Sequence, residues 1–324
     1  ATEPRPVEAA TSRSIIRITM RGADSNVVTG AFGYTGKYIT RQLLFMGESV
    51  RTLTGHPDRP SPFGDQVRVF PFNFDRPMDL TESLRGATTL YNTYWIRFSH
   101  GKVSYDGAVE NTKLLLEAAR AAGVRRVVHL SITNAAKDSP FPYFRGKALL
   151  EEAVIQSGLS YAIIRPSLVF GAEDILVNNI AWFLRRFPLF LVSGARDYRV
   201  QPVYVGDVAE LAVTAAHHHS NVIMDAVGPE TYTFHELVRL IAATVQSRAK
   251  IMHVPAGVAL FLSRLVGYIL RDVVLTEDEM RSLMAGLLVS SDPPTAGTHL
   301  NRWLEENRHI LGVRYASELR RHYS

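Results

Sequence analysis

No cysteine occurs among the 324 residues. Disulfide bridges, thiolate nucleophiles and cysteine-ligated zinc are thereby excluded, and a reducing compartment is the natural setting. Long apolar runs are missing as well. No stretch reaches the roughly 18 uninterrupted apolar residues of a membrane-spanning helix, and the longest candidate, Val254 to Leu270, is broken by Ser263 and Arg264. Charge of one sign never accumulates either. The net charge of +5 comes from scattered pairs such as Arg125-Arg126, Arg185-Arg186 and Arg320-Arg321. Such scatter describes a solvated basic surface that tolerates anionic small molecules, and nucleic acid is not an expected partner. Residues 1–24 mix Pro, Glu, Thr, Ser and four Arg without an apolar core. A secretory signal is therefore not expected there, and a flexible tail is favoured over a remnant of a targeting segment. The expected location is cytoplasmic, with peripheral association with a membrane or an organelle as the alternatives.

What is present is the composition of a globular enzyme, with 46% hydrophobic and 21% charged residues. Strand and helix signals alternate from residue 25 onward, the pattern of a parallel sheet with helices on both faces. Expected strands are Val27–Thr29, Val50–Thr54, Val67–Phe72, Thr88–Asn92, Val127–Leu130 and Tyr161–Arg165. Expected helices are Lys37–Met46, Leu80–Leu84, Val109–Ala122 and Pro142–Ser157, three of them stopped by Gly47, Gly123 and Gly158. Beyond Gly171 the rhythm loosens. A helix near Ile175–Arg186, a strand at Gln201–Val205 and a helix at Asp207–His217 lead into amphipathic helices at Thr233–Val245, Ala256–Leu270 and Glu277–Leu288. The expected fold class is α/β, a Rossmann-type doubly wound parallel sheet with a smaller, discontinuous, mostly helical C-terminal substrate domain. Residues 25–170 plus about 200–227 would form the nucleotide-binding part, and 171–199 plus 228–324 the substrate or partner part.

The chemistry begins at Val27-Val28-Thr29-Gly30-Ala31-Phe32-Gly33-Tyr34-Thr35-Gly36, a short apolar strand that runs into three glycines spaced three apart. The first lets the chain turn off the strand, the second admits phosphates close to the backbone, and the third lets the next helix pack against the sheet. A helix N-terminus then offers unpaired N–H donors to an anion. Gly30, Phe32, Gly33, Tyr34, Thr35 and Gly36 are accordingly candidate cofactor residues. About twenty residues on, the second strand ends Thr54-Gly55-His56-Pro57-Asp58-Arg59, without a carboxylate at its tip to hold a ribose 2′-hydroxyl. That absence removes a repulsion toward a 2′-phosphate, and Thr54, His56 and Arg59 become candidates to meet one. NADP(H) is the expected cofactor, with NAD(H) as the alternative.

Tyr143 and Lys147 stand four apart on a helix, which places phenol and ammonium one turn apart on one face. An ammonium there is expected to lower the phenol pKa, so that the tyrosine exchanges a proton with a carbonyl or alcohol. Ser131, at the end of the preceding strand, is placed to orient the same oxygen.

These residues resemble the short-chain dehydrogenase/reductase superfamily in its extended or atypical branch. The likeness is carried by Thr29-Gly30-x-x-Gly33-x-x-Gly36, by Leu115-Leu116-Glu117-Ala118-Ala119, by Gly123-Val124-x-x-Val127-Val128-His129-Leu130-Ser131 and by Tyr143-x-x-x-Lys147. Arg165-Pro166-Ser167-x-Val169-Phe170-Gly171 and Gln201-Pro202-Val203-Tyr204-Val205-x-Asp207-Val208-Ala209 belong to the same pattern. Within the superfamily the chain is most similar to the group of the mitochondrial complex I 39 kDa subunit and its bacterial relatives, and to NmrA-like proteins. The resemblance implies a bound NADP(H), with Tyr143 as acid/base, Lys147 on the nicotinamide ribose and Ser131 steadying the substrate. It also implies that Pro166 and Val169 pass under the nicotinamide and that Asn92 and Thr93 sit beside the cofactor. Two positions depart from the pattern: the superfamily's proton-relaying helical asparagine falls near Gly107-Ala108, and Gly55 replaces an NADP-type arginine.

The expected activity is hydride transfer to or from a carbonyl or alcohol of a hydrophobic small-molecule substrate. Members of the complex I group are regarded as cofactor-holding subunits, so a non-turning accessory or redox-sensing role is the alternative, and a nucleotide-sugar epimerase or dehydratase is a third. No metal site is expected, since His217-His218-His219 has no carboxylate cluster beside it and His235-Glu236 lacks a second histidine four positions on. Tyr91, Tyr94, Trp95 and Phe98 surround Asn92 as candidate walls of the cleft or as plain core. Ala256–Leu270 is expected to be a buried helix of the C-terminal part, the alternative being an interfacial helix that meets a membrane surface or a protein partner.

Overall fold

The computed structural model describes residues 25–194 and 198–322; the tail expected over 1–24 lies outside them. In chain order the elements begin β1 (Ser25–Thr29), α1 (Tyr34–Phe45), β2 (Ser49–Thr54), β3 (Val67–Pro71), α2 (Pro77–Leu84), β4 (Thr89–Asn92) and α3 (Tyr105–Ala121). They continue with β5 (Arg126–Leu130), α4 (Pro142–Gln156), β6 (Ser160–Pro166), β7 (Leu168–Phe170), α5 (Leu176–Arg186) and β8 (Leu189–Ser193). Next come β9 (Arg199–Val200), β10 (Pro202–Tyr204), α6 (Val205–Ala216), β11 (Val222–Ala226), β12 (Tyr232–Thr233) and α7 (Phe234–Thr244). The last are β13 (Lys250–Val254), α8 (Ala256–Leu270), α9 (Glu277–Met284), α10 (Leu300–Asn307) and α11 (Glu318–His322).

Seven strands form one parallel sheet in the order β11-β6-β5-β4-β1-β2-β3. The order reverses at β1, between β2 and β4, and that reversal opens the crevice in which such sheets bind ligands. The central strands are buried on both faces because helices cover both. One core joins Val28, Ile39, Leu43, Val128 and Ile164 to Val208 and Ala212 of α6. The opposite core joins Val27, Leu53, Leu90 and Val127 to Leu80, Leu115 and Val154 of α2, α3 and α4. The apolar strands and amphipathic helices expected from periodicity are these, with shifted ends: α3 begins at Tyr105 because Ser104 caps it by accepting from Gly107 N.

A third core lies apart from the sheet, built by α5, α7 and α10 around Val177, Leu184, Leu237, Ile241, Trp303 and Leu311. Small two-stranded pairings, β8 with β13 and β9 with β12, hold its edges. Two capping boxes, Thr233 with Glu236 and Thr276 with Glu279, start α7 and α9. Differences from the expected elements fall where few local signals mark the chain. The strand β11 adds a sheet edge, β8 and β13 pair only with each other, and α9 ends at Met284 rather than Leu288. Helix α8 has the expected bounds and the opposite burial: only Leu260 and Gly267 are buried.

Trp303 is 7% exposed and its ring centroid lies 5.4 Å from that of Phe170, the residue that leads out of the sheet into the third core. Trp303→Ala is expected to cost about 3–5 kcal/mol, measured as a fall in the urea midpoint. A change under about 1 kcal/mol would show that this core is not part of the cooperative fold.

Candidate functional site

At the end of β1 the chain turns at Gly30, whose φ of +64° lies in the left-handed region that glycine tolerates. The turn is pinned by Gly30 N donating to the Leu53 carbonyl at 2.8 Å and Gly33 N donating to the Gly30 carbonyl at 2.8 Å. A Cβ on Gly36 would lie 2.2 Å from the Gly30 oxygen, so only glycine lets α1 pack this close to the turn. Gly33 is the N-cap of α1 and has no side chain to satisfy the first N–H groups, and no acidic residue stands in the first turn. Those donors, and the positive dipole end, face whatever occupies the turn. The cradle fits a dinucleotide pyrophosphate.

A cavity of about 780 Å³ extends from this turn across the C-terminal ends of the strands. Of the residues singled out in the sequence, Gly30, Phe32, Gly33, Tyr34, Thr35, Gly36, Thr54, His56, Arg59, Thr93, Ser131, Tyr143, Lys147, Pro166 and Val169 all line it. Asn92 does not. It is fully buried below the floor, where its amide contacts His129 Nδ1 at 3.1 Å and its oxygen accepts from Thr29 Oγ1 at 3.2 Å. Its place is a tie between the ends of β1, β4 and β5, while Thr93 next to it reaches the cavity and donates its hydroxyl to the Thr29 carbonyl.

At the β2 tip, Thr54 Oγ1 accepts from His56 N at 3.1 Å, and no carboxylate between Thr54 and Phe74 lines the cavity. Arg59 Nη1 donates to the Arg321 carbonyl at 2.9 Å. Arg321 is a residue that sequence reasoning missed. It arrives from α11, with its guanidinium 5.9 Å from the Tyr34 ring centroid and Nη2 donating to the Glu173 carbonyl at 2.6 Å. Beneath it, burial raises the Tyr34 phenol pKa, and among the described residues that hydroxyl has no hydrogen-bond partner. Burial also lifts the nearby Asp174 carboxyl to about 6, although Leu176 N and Val177 N donate to it.

The Tyr143–Lys147 pair sits on the first turns of α4, started by Pro142. Gly146 between them leaves room for Trp95, whose Cη2 would lie 2.6 Å from a Cβ there. Trp95 thus lies on this helix face, edge-on to Tyr143 at 5.8 Å and with Lys147 Nζ 5.0 Å from its ring. Lys147 is 4% exposed, and its Nζ donates to the Leu130 carbonyl at 2.6 Å. Burial lowers its pKa to about 7, opposed in part by Glu151. Tyr143 is corrected more sharply. Its pKa is raised, not lowered, chiefly by burial and next by the Glu279 carboxylate, with Arg97 opposing and Glu318 adding. The expected ammonium effect fails because burial and the Glu279 carboxylate outweigh it, and Lys147 turns its Nζ to the Leu130 carbonyl.

Ser131 donates its hydroxyl to Glu151 Oε1 at 2.5 Å, and Glu151 is held by Arg165 through Nε at 2.8 Å and Nη2 at 2.5 Å. The Ser131 proton is thereby engaged by Glu151. No asparagine stands at 107 or 108, but Asn111 on the same helix donates to the Tyr94 hydroxyl at 3.0 Å. The far wall is apolar and aromatic, with Phe72, Phe74, Tyr94, Trp95, Tyr105 and Phe141. There Arg97 bridges Glu279 and Glu318, joining the loop after β4 to α9 and α11. Glu279 does two jobs: Oε2 completes its capping box with Thr276 N at 2.9 Å while Oε1 accepts from Arg97 Nε.

Comparison with known proteins agrees with this geometry. Residues 30–174 match the NAD(P)H-binding family. The chain is similar to the mitochondrial NADH dehydrogenase [ubiquinone] 1 alpha subcomplex subunit 9 of Arabidopsis thaliana, 29% identical over 72% of this chain and 60% of that protein. It is also similar to the mitochondrial NADH-ubiquinone oxidoreductase 40 kDa subunit of Neurospora crassa, 24% identical over 80% of this chain and 70% of that one. Its fold is shared with the NADPH-dependent quinone oxidoreductase QOR2 of Escherichia coli, at a TM-score of 0.68 and 19% identity over 88% of this chain and 99% of the other. Among the described residues no helix is long and apolar enough to cross a membrane.

Linkage gives the Lys147 result a measurable consequence. Its pKa is about 7 in the folded protein against 10.5 for an ordinary lysine, so between those limits the unfolded chain binds the extra proton and folding gains stability as pH rises. In cofactor-free protein the stability of wild type relative to Lys147→Met is expected to climb from pH 7 to pH 10 and to be flat below pH 6. Urea midpoints across that range check it, and a difference independent of pH would show Lys147 to be charged throughout.

Proposed function

Starting from a chain that carries an NAD(P)H-binding domain and is a relative of the complex I 39 kDa-like subunits, we propose that it binds NADP(H) and reduces the carbonyl of an apolar substrate. The observation that carries the direction is the buried Tyr143 phenol. The phenol carries its proton at neutral pH, as a donor must, while burial, which raises its pKa, makes that proton harder to release until a substrate oxygen gains charge beside it. The cofactor, when bound, supplies hydride. Tyr143 gives its proton to the substrate oxygen, Lys147 titrates near 7 and can return a proton to the phenol, and the Ser131 lone pairs accept from the alcohol that forms. Gly30, Gly33, Gly36 and the first N–H groups of α1 would hold the pyrophosphate, with Arg59 and Arg321 near the β2 tip for a 2′-phosphate. Phe72, Phe74, Trp95 and Tyr105 exclude water and favour an apolar substrate over a sugar diphosphate. In this reading residues 171–199 with 228–324 form the substrate part, and 25–170 with about 200–227 the cofactor part.

A second reading has its own support. Trp95 covers the Tyr143–Lys147 face and Ser131 gives its proton to Glu151, and both suit a protein that holds NADP(H) without consuming it. In that reading a protein partner takes the place of a substrate. The mitochondrial names of the relatives set an organellar location beside the cytoplasmic expectation.

Consumption of NADPH with a panel of apolar carbonyls and quinones separates the two. Turnover that falls about 100-fold or more in Tyr143→Phe, with NADPH affinity unchanged, is the expected result. Binding of NADPH without turnover of any compound would establish the holding reading. For cofactor choice, Arg59→Ala is expected to weaken NADPH binding about tenfold and NADH binding little. Equal affinities for both cofactors in wild type would overturn the preference.

A further inference from the structure

Helix α8 reads Ala256-Gly-Val-Ala-Leu-Phe-Leu-Ser-Arg-Leu-Val-Gly-Tyr-Ile-Leu270, apolar nearly all round. Such a helix belongs in a core. Here it lies on the outside. Phe261 is 67% exposed, Tyr268 85% and Ile269 71%, and Val258 and Leu265 are about half exposed. Positions 258, 261, 265 and 268–269 recur at helical spacing, so they form one outward stripe rather than scattered residues. From Ala256 to Arg271 the charged residues are Arg264 and Arg271 alone, both exposed, and there is no carboxylate. A concavity of about 710 Å³ opens beside the stripe, lined by Ser263, Arg264, Tyr268, Arg271 and the segment up to Leu275.

Size and charge together select the occupant. Fifteen residues make a helix about 22 Å long, and its outward stripe is the side chains of Val258, Phe261, Leu265, Tyr268 and Ile269. A stable protein interface draws on about 20–30 residues a side, so the stripe alone is too small to hold a second copy. A lipid surface needs no such extent. An apolar face sinks into the acyl boundary, and flanking cations and a tyrosine meet the headgroups. We propose that α8 docks this protein on the surface of an anionic membrane, with Val258, Phe261, Leu265 and Ile269 in the acyl boundary and Arg264 and Arg271 on lipid phosphates. Leu275 lines both this concavity and the large cavity that contains Tyr143. Docking by α8 therefore sets the Leu275 side of the main cavity next to the bilayer. A lipid-soluble substrate follows if the reductase reading above holds, whereas docking itself does not depend on that reading.

Flotation of the full chain with phosphatidylcholine vesicles, with and without 30 mol% phosphatidylserine, tests the proposal without any turnover. Binding is expected on the anionic vesicles, and a fall on the order of 30-fold is expected in the double variant R264Q/R271Q, about fivefold for each arginine near the surface. Salt should weaken the wild type in the same sense. The variant F261S/L265S should lose binding to the anionic vesicles while NADPH fluorescence titration, which reports the fold and the cofactor cradle, stays as in wild type. No flotation with anionic vesicles, or flotation undiminished in F261S/L265S, overturns the proposal. So does a dimer in light scattering that F261S/L265S dissolves while vesicles remain unbound, which would make a second copy the occupant.

Discussion

A methyl group on Gly36 would stand 2.2 Å from the carbonyl oxygen of Gly30, and the geometry of the whole cleft depends on that missing methyl. With it absent, α1 lies close against β1, its first N–H groups point into the crevice where the strand order reverses, and a left-handed turn at Gly30 fits beneath them. Everything else in the cofactor region is arranged relative to this contact. Thr29 illustrates the economy of the floor: its single hydroxyl oxygen accepts from Thr93 N at 2.7 Å and Tyr94 N at 3.0 Å, locking the β4 loop beside the turn.

The substrate end is governed by a different force, the cost of burying charge. Lys147 and Glu151 are removed from water and Arg97 is half-buried, and each is kept by specific partners. Glu151 accepts from Ser131 and from Arg165, and Arg97 is shared by Glu279 and Glu318. Desolvation moves the Lys147 pKa to about 7 and raises that of Tyr143. The protonation of both groups is thus set by burial rather than by each other. Arg97 contributes in a second way, since its two carboxylate partners tie α9 and α11 across the mouth of the cavity. Asp272 reinforces the tie by accepting from Tyr315 Oη, Glu318 N and Leu319 N.

Much of this was legible in the chain. The alternation of strands and helices, the glycine spacing and the Tyr143–Lys147 register are local patterns, and local patterns keep their meaning whatever the rest of the fold does. Most of the residues chosen from them line one cavity. Asn92 is instructive, because strand-end position brought it near the cofactor but side-chain alternation turned it into the floor. The edges were harder. A five-residue strand such as β8, which pairs only with β13 about sixty residues later, carries no signal that a loop of the same composition lacks. Arg321 had no signal at all, since nothing in residues 318–322 records that they fold back over Tyr34.

The sequence by itself determined the dinucleotide cradle, because steric permission at glycine and the N–H groups of a helix start are properties of a few consecutive residues. It also determined the one-turn pairing of Tyr143 with Lys147 and the bounds of α8. Only the tertiary structure decided their electrostatics and their surroundings. Whether Lys147 is charged, how tightly Tyr143 holds its proton, and whether the apolar helix α8 faces a core or the outside all depend on how much water remains around them. Solvent exclusion is a sum over elements distant in the chain, and no short stretch of residues contains it.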